Sequence, residues 1–180
     1  MDIPFIIAQA IGPVTTVLSI WSAQLKNLKL ILIFELTINA MVAASYILLG
    51  GFSGAYICIA AVLQTAVSFL FASKKKAVPH AVTGVFLLIY VILSVITYKV
   101  PMDILPGVCS LAFALAVAQK KPTGYRIYIG INSVLWVIYD IAVAAYTMIL
   151  THGLLLGSIV IALIRYDILK KEEKTTDPAP

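Results

Sequence analysis

Charge is scarce in this chain. Charged residues are 12% of it and hydrophobic residues 62%, with a mean hydropathy of +1.04. A soluble domain of 180 residues has too little interior to hide that much apolar surface. Cysteine is almost absent: Cys58 and Cys109 both fall inside apolar runs, where cysteine acts as a small hydrophobe, and neither has metal-ligand spacing. Only two histidines occur, His80 and His152, and they belong at opposite membrane surfaces, so they cannot share a metal. No H-E-x-x-H, G-x-S-x-G or phosphate-binding glycine loop appears. These gaps argue against an enzyme, a metal site, a cofactor and an ATP-driven pump. The start, MDIPF, lacks a basic leader and an A-x-A cleavage site, and reads as a retained first span.

What is abundant is long apolar runs. A bilayer accepts them at about 20 residues per helix. Seven are expected, near residues 3–23, 28–49, 53–73, 79–98, 103–119, 125–149 and 152–169. They are too long, and alternate too little, for strands. Gly50-Gly51, Ser53-Gly54, Pro79, Pro101 and Pro122 separate several of them. The fold expected is therefore an all-α polytopic membrane protein. The last residues, 170–180, are polar and expected to be disordered in the cytoplasm.

The basic residues orient the chain. Of the 13, Lys26, Lys29, Lys74, Lys75, Lys76, Lys120, Lys121, Arg126, Arg165, Lys170, Lys171 and Lys174 share one side, and Lys99 stands alone on the other with Asp2 and Asp103. Cytoplasmic loops retain Lys and Arg, which places the amino terminus outside and the carboxyl terminus in the cytoplasm. The net charge of +5 does not imply nucleic-acid binding, because the cations bracket spans and form no basic, aromatic-interleaved face. The triple lysine at 74–76 is read as a topology determinant, with contact to anionic lipid as the lesser alternative.

A weak internal repeat gives the architecture. Ile38-Asn39 and Tyr46 match Ile131-Asn132 and Tyr139 at the same interval. Ala23-Gln24 precedes Lys26 as Ala118-Gln119 precedes Lys120, and Gly12-Pro13 has a reversed counterpart in Pro106-Gly107. Three helices reverse direction across a membrane, and one extra helix restores it. The expectation is two parallel three-helix bundles, residues 1–73 and 100–169, joined by a linker helix over 74–99 and related by an axis along the membrane normal. Chance likeness between two Leu/Ile/Val-rich segments is the alternative.

Several segments carry a family resemblance: P-M-D-I-L-P-G-V-C-S at 101–110, S-V-L-W-V-I-Y-D at 133–140, Ala8-Gln9 with Gly12, Leu48-Leu49-Gly50 with Ser53-Gly54-Ala55, and Ile164-Arg165-Tyr166. Together they resemble the YgjV-type bacterial inner-membrane proteins over nearly the whole chain. That family looks related to the SWEET and PQ-loop transporters. The resemblance implies the 3+1+3 helix arrangement, an inner-membrane location and a carrier of small solutes. Where SWEET-type carriers place an Asn on the third and seventh helices, this chain has Gln64 and Ser158, and the Pro-Gln pair is missing.

Polar residues inside spans are few, and each is a candidate. Tyr128, Asn132, Trp136 and Asp140 recur every four residues on the sixth span, a stripe that winds by about 40° per step. Glu35 and Asn39 form a shorter stripe on the second. Asn39 and Asn132 either bind solute near the midplane or bond helix to helix. Trp136 either stacks on a ring-shaped solute or packs in the core. Gln64 and Ser158 either line the cavity or hold helices. Glu35 and Asp140 are candidates for a proton or a cation, with helix-end contacts as the alternative. Pro13 and Pro106 are candidate hinges. Trp21, Tyr98 and Tyr166 read as interfacial anchors. The partners implied are a small-molecule solute and the lipid bilayer, and a homo-oligomer is compatible. The functional expectation is a carrier by alternating access, passive or ion-coupled, with a non-transporting scaffold or sensor as the rival.

Overall fold

A computed structural model describes residues 3–48, 52–98, 104–142 and 146–168. It contains seven α-helices: α1 Ile3–Gln24, α2 Leu28–Leu48, α3 Phe52–Ser73, α4 His80–Thr97, α5 Ile104–Val117, α6 Pro122–Ala142 and α7 Tyr146–Leu163. A π-helical turn, Ile164–Ile168, continues α7. No strand occurs among the described residues. Five helices are long and apolar enough to cross a membrane: α1 to α4 and α7. At 1.5 Å per residue, 14-residue α5 is only about 21 Å long, short of a bilayer core of about 30 Å. The sixth helix has the length, but Arg126, Asn132 and Asp140 lower its hydropathy.

One expected boundary is wrong. The runs expected at 125–149 and 152–169 put the break between the last two spans at residues 150–151. The structure runs α7 straight through these residues from Tyr146, and α6 ends at Ala142. Polar and glycine residues are tolerated within membrane helices when neighbouring helices engage them. His152 is engaged in this way: its ring stacks on Trp136 of α6, centroids 5.7 Å apart and planes within 6°. Asp140 consequently sits in the last turn of α6 and not well inside a longer span.

Helices adjacent in sequence pack side by side, and α7 packs against α1, which closes a ring. The fourth helix lies against α3 and α5, and α3 also meets α5. Lys26, Lys74–Lys76 and Lys120–Lys121 all lie in the α1–α2, α3–α4 and α5–α6 connections, so one end of the ring is lysine-rich. The larger core cluster sits at this end. Ala23, Ile31, Leu32, Val117, Tyr125 and Ile159 bring five helices together there. A second cluster, Ala60, Ala61, Tyr90 and Ala114, joins α3, α4 and α5. Large apolar side chains such as Val17, Leu63, Val95 and Leu150 are exposed, as a helix facing lipid requires.

The end of α3 shows how the lysines are accommodated. The Lys76 N–H donates to the Phe71 carbonyl at 2.9 Å and the Lys75 N–H to Ala72 at 3.1 Å. This is a Schellman closure, with Lys75 at the left-handed position, φ 54°, that glycine usually takes. Positive charge at a helix C-terminus also opposes the negative end of the helix dipole.

Small residues set the helix spacing inside. The fifth helix buries Gly107, Cys109, Ser110, Ala112, Ala114 and Ala116. Lipid provides no hydrophobic force between helices, so close backbone approach through small residues supplies the contact. Gly107 faces α4 so closely that an added Cβ would lie 2.6 Å from Ser94 Oγ and 3.0 Å from Ser94 Cβ. Gly107→Ala is therefore expected to destabilise the protein by about 1–3 kcal/mol, the usual cost of overpacking. Adding Ser94→Gly should recover most of it. Equal melting temperatures for Gly107→Ala and wild type would show that α4 and α5 are not held this closely.

Candidate functional site

The polar side chains of the described helices concentrate where α1 and α2 meet α6 and α7 at the lysine-rich end. The first helix ends at Gln24, which leaves terminal carbonyls without helical donors. Arg126, in the first turns of α6 and only 2% exposed, supplies them. Its Nε donates to the Ala23 carbonyl at 3.1 Å and its Nη2 to Leu25 at 2.6 Å. The planar guanidinium suits such a pair, because its donors are fixed in a fork. Beside it, Gln24 reaches α7: Nε2 donates to the Ser158 carbonyl at 2.7 Å and to Ser158 Oγ at 2.8 Å. Ser158 Oγ donates in turn to the Ile20 carbonyl at 3.1 Å, which completes a two-way clasp between α1 and α7.

One helical turn away lies a carboxyl. Glu35 of α2 accepts from Ser22 Oγ of α1 at 3.4 Å, and the Tyr125 hydroxyl of α6 bonds to the same carboxyl. Three helices thus share one acidic group. Tyr125 and Ser22 are 2% and 1% exposed, so both partners are buried, while Glu35 itself is part-buried. Below it, the Tyr166 ring on the π-helical turn gathers cations: Lys26 Nζ at 4.6 Å from its centroid, and Arg126 Cζ and Arg165 Cζ each at 5.3 Å. An aromatic face attracts cations through its quadrupole. Tyr166 is therefore a partner for three basic residues as well as a span-end tyrosine.

The other predicted residues lie higher in the ring and apart from this cluster. Asn39 and Asn132 occupy the middle of α2 and α6, but their amides do different things. Asn39 Nδ2 donates to the Glu35 carbonyl on its own helix at 2.8 Å. Asn132 Nδ2 crosses to the Cys109 carbonyl of α5 at 2.7 Å. Trp136 is half-buried against His152. Gln64, 2% exposed, donates from Nε2 to the Ala114 carbonyl of α5 at 3.0 Å. The Asp140 side chain lies outside the described residues.

The two prolines are not equivalent. Pro13 is inside α1, and the nearby Gly12 carbonyl accepts from Thr15 Oγ1 at 2.8 Å and Thr16 Oγ1 at 2.9 Å. Such bonds bend helices. Pro106 falls in the first turn of α5, where a missing N–H costs nothing. Among the described residues, no three His, Cys, Asp or Glu side chains converge to hold a metal ion.

Sequence reasoning missed Ser22, Tyr125 and the role of Arg126, which it counted only as one of the cytoplasmic cations. Gln24 was noticed as a repeat mark with Gln119, yet the two differ. Gln119 Nε2 donates to Leu115 of its own helix at 2.9 Å, whereas Gln24 crosses to α7. The available signal was the end of α1 itself, whose unpaired carbonyls require donors from elsewhere.

A family model described as Imp-YgjV, bacterial inner membrane protein, matches residues 6–170. No curated protein and no solved structure matches the chain. With the match covering all seven helices, five of which have the length and apolarity to cross a membrane, the chain belongs to the Imp-YgjV family of multi-pass bacterial inner membrane proteins.

Proposed function

We propose that this protein carries a small polar solute across the inner membrane by alternating access. In this reading α1–α3 and α5–α7 are two halves joined by α4, as in the SWEET-type carriers that the family resembles. The lysine-rich end faces the cytoplasm and the amino terminus lies outside. Asn39, Asn132 and Trp136 line the solute path towards the outer side, and Pro13 lends flexibility to α1.

The observation that supports this reading is the polar seam at the lysine-rich end. Gln24 to Ser158, Arg126 to Ala23 and Leu25, and Tyr125 to Glu35 all join α1 and α2 to α6 and α7. Two halves that must separate and rejoin need contacts that can be exchanged for water, and hydrogen bonds at a membrane surface meet that need. The apolar cluster of Ala23, Ile31, Leu32, Val117, Tyr125 and Ile159 at the same end must part with them. Glu35, shared across the seam, is the candidate for proton coupling. A rival reading, a static scaffold, draws on Asn132 and Gln64, which each bond a carbonyl on α5.

A reversible lock separates the two. Cys58 and Cys109 are replaced by alanine, and cysteines are placed at Gln24 and Ser158. A ligand-dependent thermal-shift screen of the purified protein first finds solutes that stabilise it, since a substrate stabilises the state it binds. Uptake of the best solute into proteoliposomes is then measured before and after bridging the pair with a short bis-methanethiosulfonate cross-linker, which forms a disulfide with each cysteine and releases sulfinate. Bridging is expected to abolish uptake, and reduction to restore it. Absence of stabilisation across a broad metabolite panel, with no uptake, would favour the scaffold. Uptake indifferent to the bridge would remove the gate from this seam.

A further inference from the structure

Hydroxyl groups in this molecule follow a habit. Ser19, Thr37, Ser94, Thr97, Ser110 and Ser133 each donate to the carbonyl four residues back, at 2.7–3.0 Å. That bond is the ordinary way to satisfy a hydroxyl inside a membrane helix. Ser22, Ser45 and Ser158 bond a neighbouring helix instead, but two hydroxyls on α3 do neither. Thr65 Oγ1 and Ser68 Oγ are buried without a hydrogen-bond partner, and so is Gln64 Oε1 one position away. The three residues are 0%, 2% and 2% exposed. A hydroxyl turned from its own backbone in a buried place costs roughly 1–3 kcal/mol unless something else bonds it.

The three groups form one patch. At 3.6 residues per turn, positions 64, 65 and 68 span an arc of about 100° on the inner face of α3. Gln64 is fixed by its amide on Ala114 of α5, which leaves the free carbonyl oxygen as an acceptor. The Tyr90 ring of α4 packs with Ala60, Ala61 and Ala114, and its hydroxyl too is buried and unpaired. Small Ala60, Ala61 and Ala114 sit here among larger Ile57, Phe86, Leu87 and Phe113. No Asp, Glu, Lys or Arg occurs in α3, α4 or α5.

Resting on the carrier reading, we propose that Gln64 Oε1, Thr65 Oγ1 and Ser68 Oγ form the protein's side of a binding site for a small, neutral, polyhydroxylated solute. Neutrality follows from the uncharged helices around the patch, where an ionic solute would find no counter-charge. A solute with several hydroxyls both donates and accepts, as the patch requires: one pure acceptor and two groups able to do either. Glu35 is not part of this site, being held by Ser22 and Tyr125 at the lysine-rich end.

The test uses erythritol and ribitol as probes and light-scattering recovery of proteoliposomes after osmotic shock as the readout. The wild type is expected to speed polyol entry over empty vesicles. The near-isosteric Thr65→Val/Ser68→Ala variant should lose about tenfold of that increment, the worth of two hydrogen bonds to the solute. Its melting temperature should match or exceed that of the wild type, because no bond within the protein is lost. Thr65→Ser, which keeps the hydroxyl, should retain polyol entry. Unchanged polyol entry in the double variant would overturn the proposal, as would a marked fall in its melting temperature, which would mean that the hydroxyls hold the fold. Faster water movement without polyol entry would overturn it likewise. Entry of a different class, such as an amino acid, with none of polyols, would overturn this site while leaving the carrier intact. No transport of any solute class would bring down both.

Discussion

Replacing Arg126 with methionine is expected to lower the melting temperature of the purified protein by roughly 6–24 °C. Two charge-assisted hydrogen bonds, to Ala23 and Leu25, disappear together, each worth about 1.5–3 kcal/mol. For a chain of this size, each kcal/mol moves the midpoint by about 2–4 °C. The loss also leaves the C-terminal carbonyls of α1 without donors in a buried place, and it takes one cation from the Tyr166 ring. Arg126→Lys should recover only part of the stability, because one ammonium cannot present the guanidinium's paired donors to both carbonyls. A melting curve indistinguishable from the wild type would show that these carbonyls find donors elsewhere.

Glu35→Gln is expected to have the largest effect on transport. In the closed seam the carboxyl is bonded by Ser22 and Tyr125 from two other helices. Opening the seam takes Tyr125 away and admits water, so the group's surroundings differ between the two states. A titrating group whose surroundings change with conformation links proton binding to that change. Glutamine keeps the size and one acceptor but cannot titrate. Accumulation driven by a proton gradient should fall to the level seen without a gradient, while exchange at equal pH continues. Tyr125→Phe, which removes one donor and keeps the carboxyl, should shift the pH profile without erasing it. If Glu35→Gln responds to the gradient as the wild type does, the carboxyl is a structural acceptor and the carrier is passive or coupled elsewhere.

Much of the fold could be read from the sequence, because a bilayer leaves a chain few choices. Long apolar runs must be helices there, since backbone groups have no other partners. Their number and most of their limits follow. The break between α6 and α7 did not, because no proline, lysine or arginine marks it in the run between Arg126 and Arg165. Only the stacked Trp136 reveals how α7 accommodates His152. Asn39 and Asn132 stand mid-helix, as the limits of α2 and α6 show. Their bonds were not legible, since sequence gives the depth of a side chain and not which neighbour it faces. Arg126 shows the same limit from the other side. As a basic residue near a span end it reports topology, but its work is done on α1, about a hundred residues earlier in the chain. Thr65 and Ser68 look like ordinary helix hydroxyls in sequence, and only their missing bonds set them apart.

The closed ring has a consequence for how the protein is made. Its seam joins the first helix to the last two, so it cannot form until synthesis is nearly complete. Glu35 enters the membrane about 90 residues before Tyr125 exists, which at 5–20 residues per second is a wait of about 5–20 s. During that interval Glu35 has Ser22 but not Tyr125, and Gln24 waits for Ser158, which is not yet made. The burden falls on the insertion machinery, which must shelter these groups or let them rest at the interface beside Lys26 and Lys29. A ribosome stalled after α5 would leave them permanently unmatched, and a membrane protease that reads polar groups in lipid would recognise such a chain as unfinished.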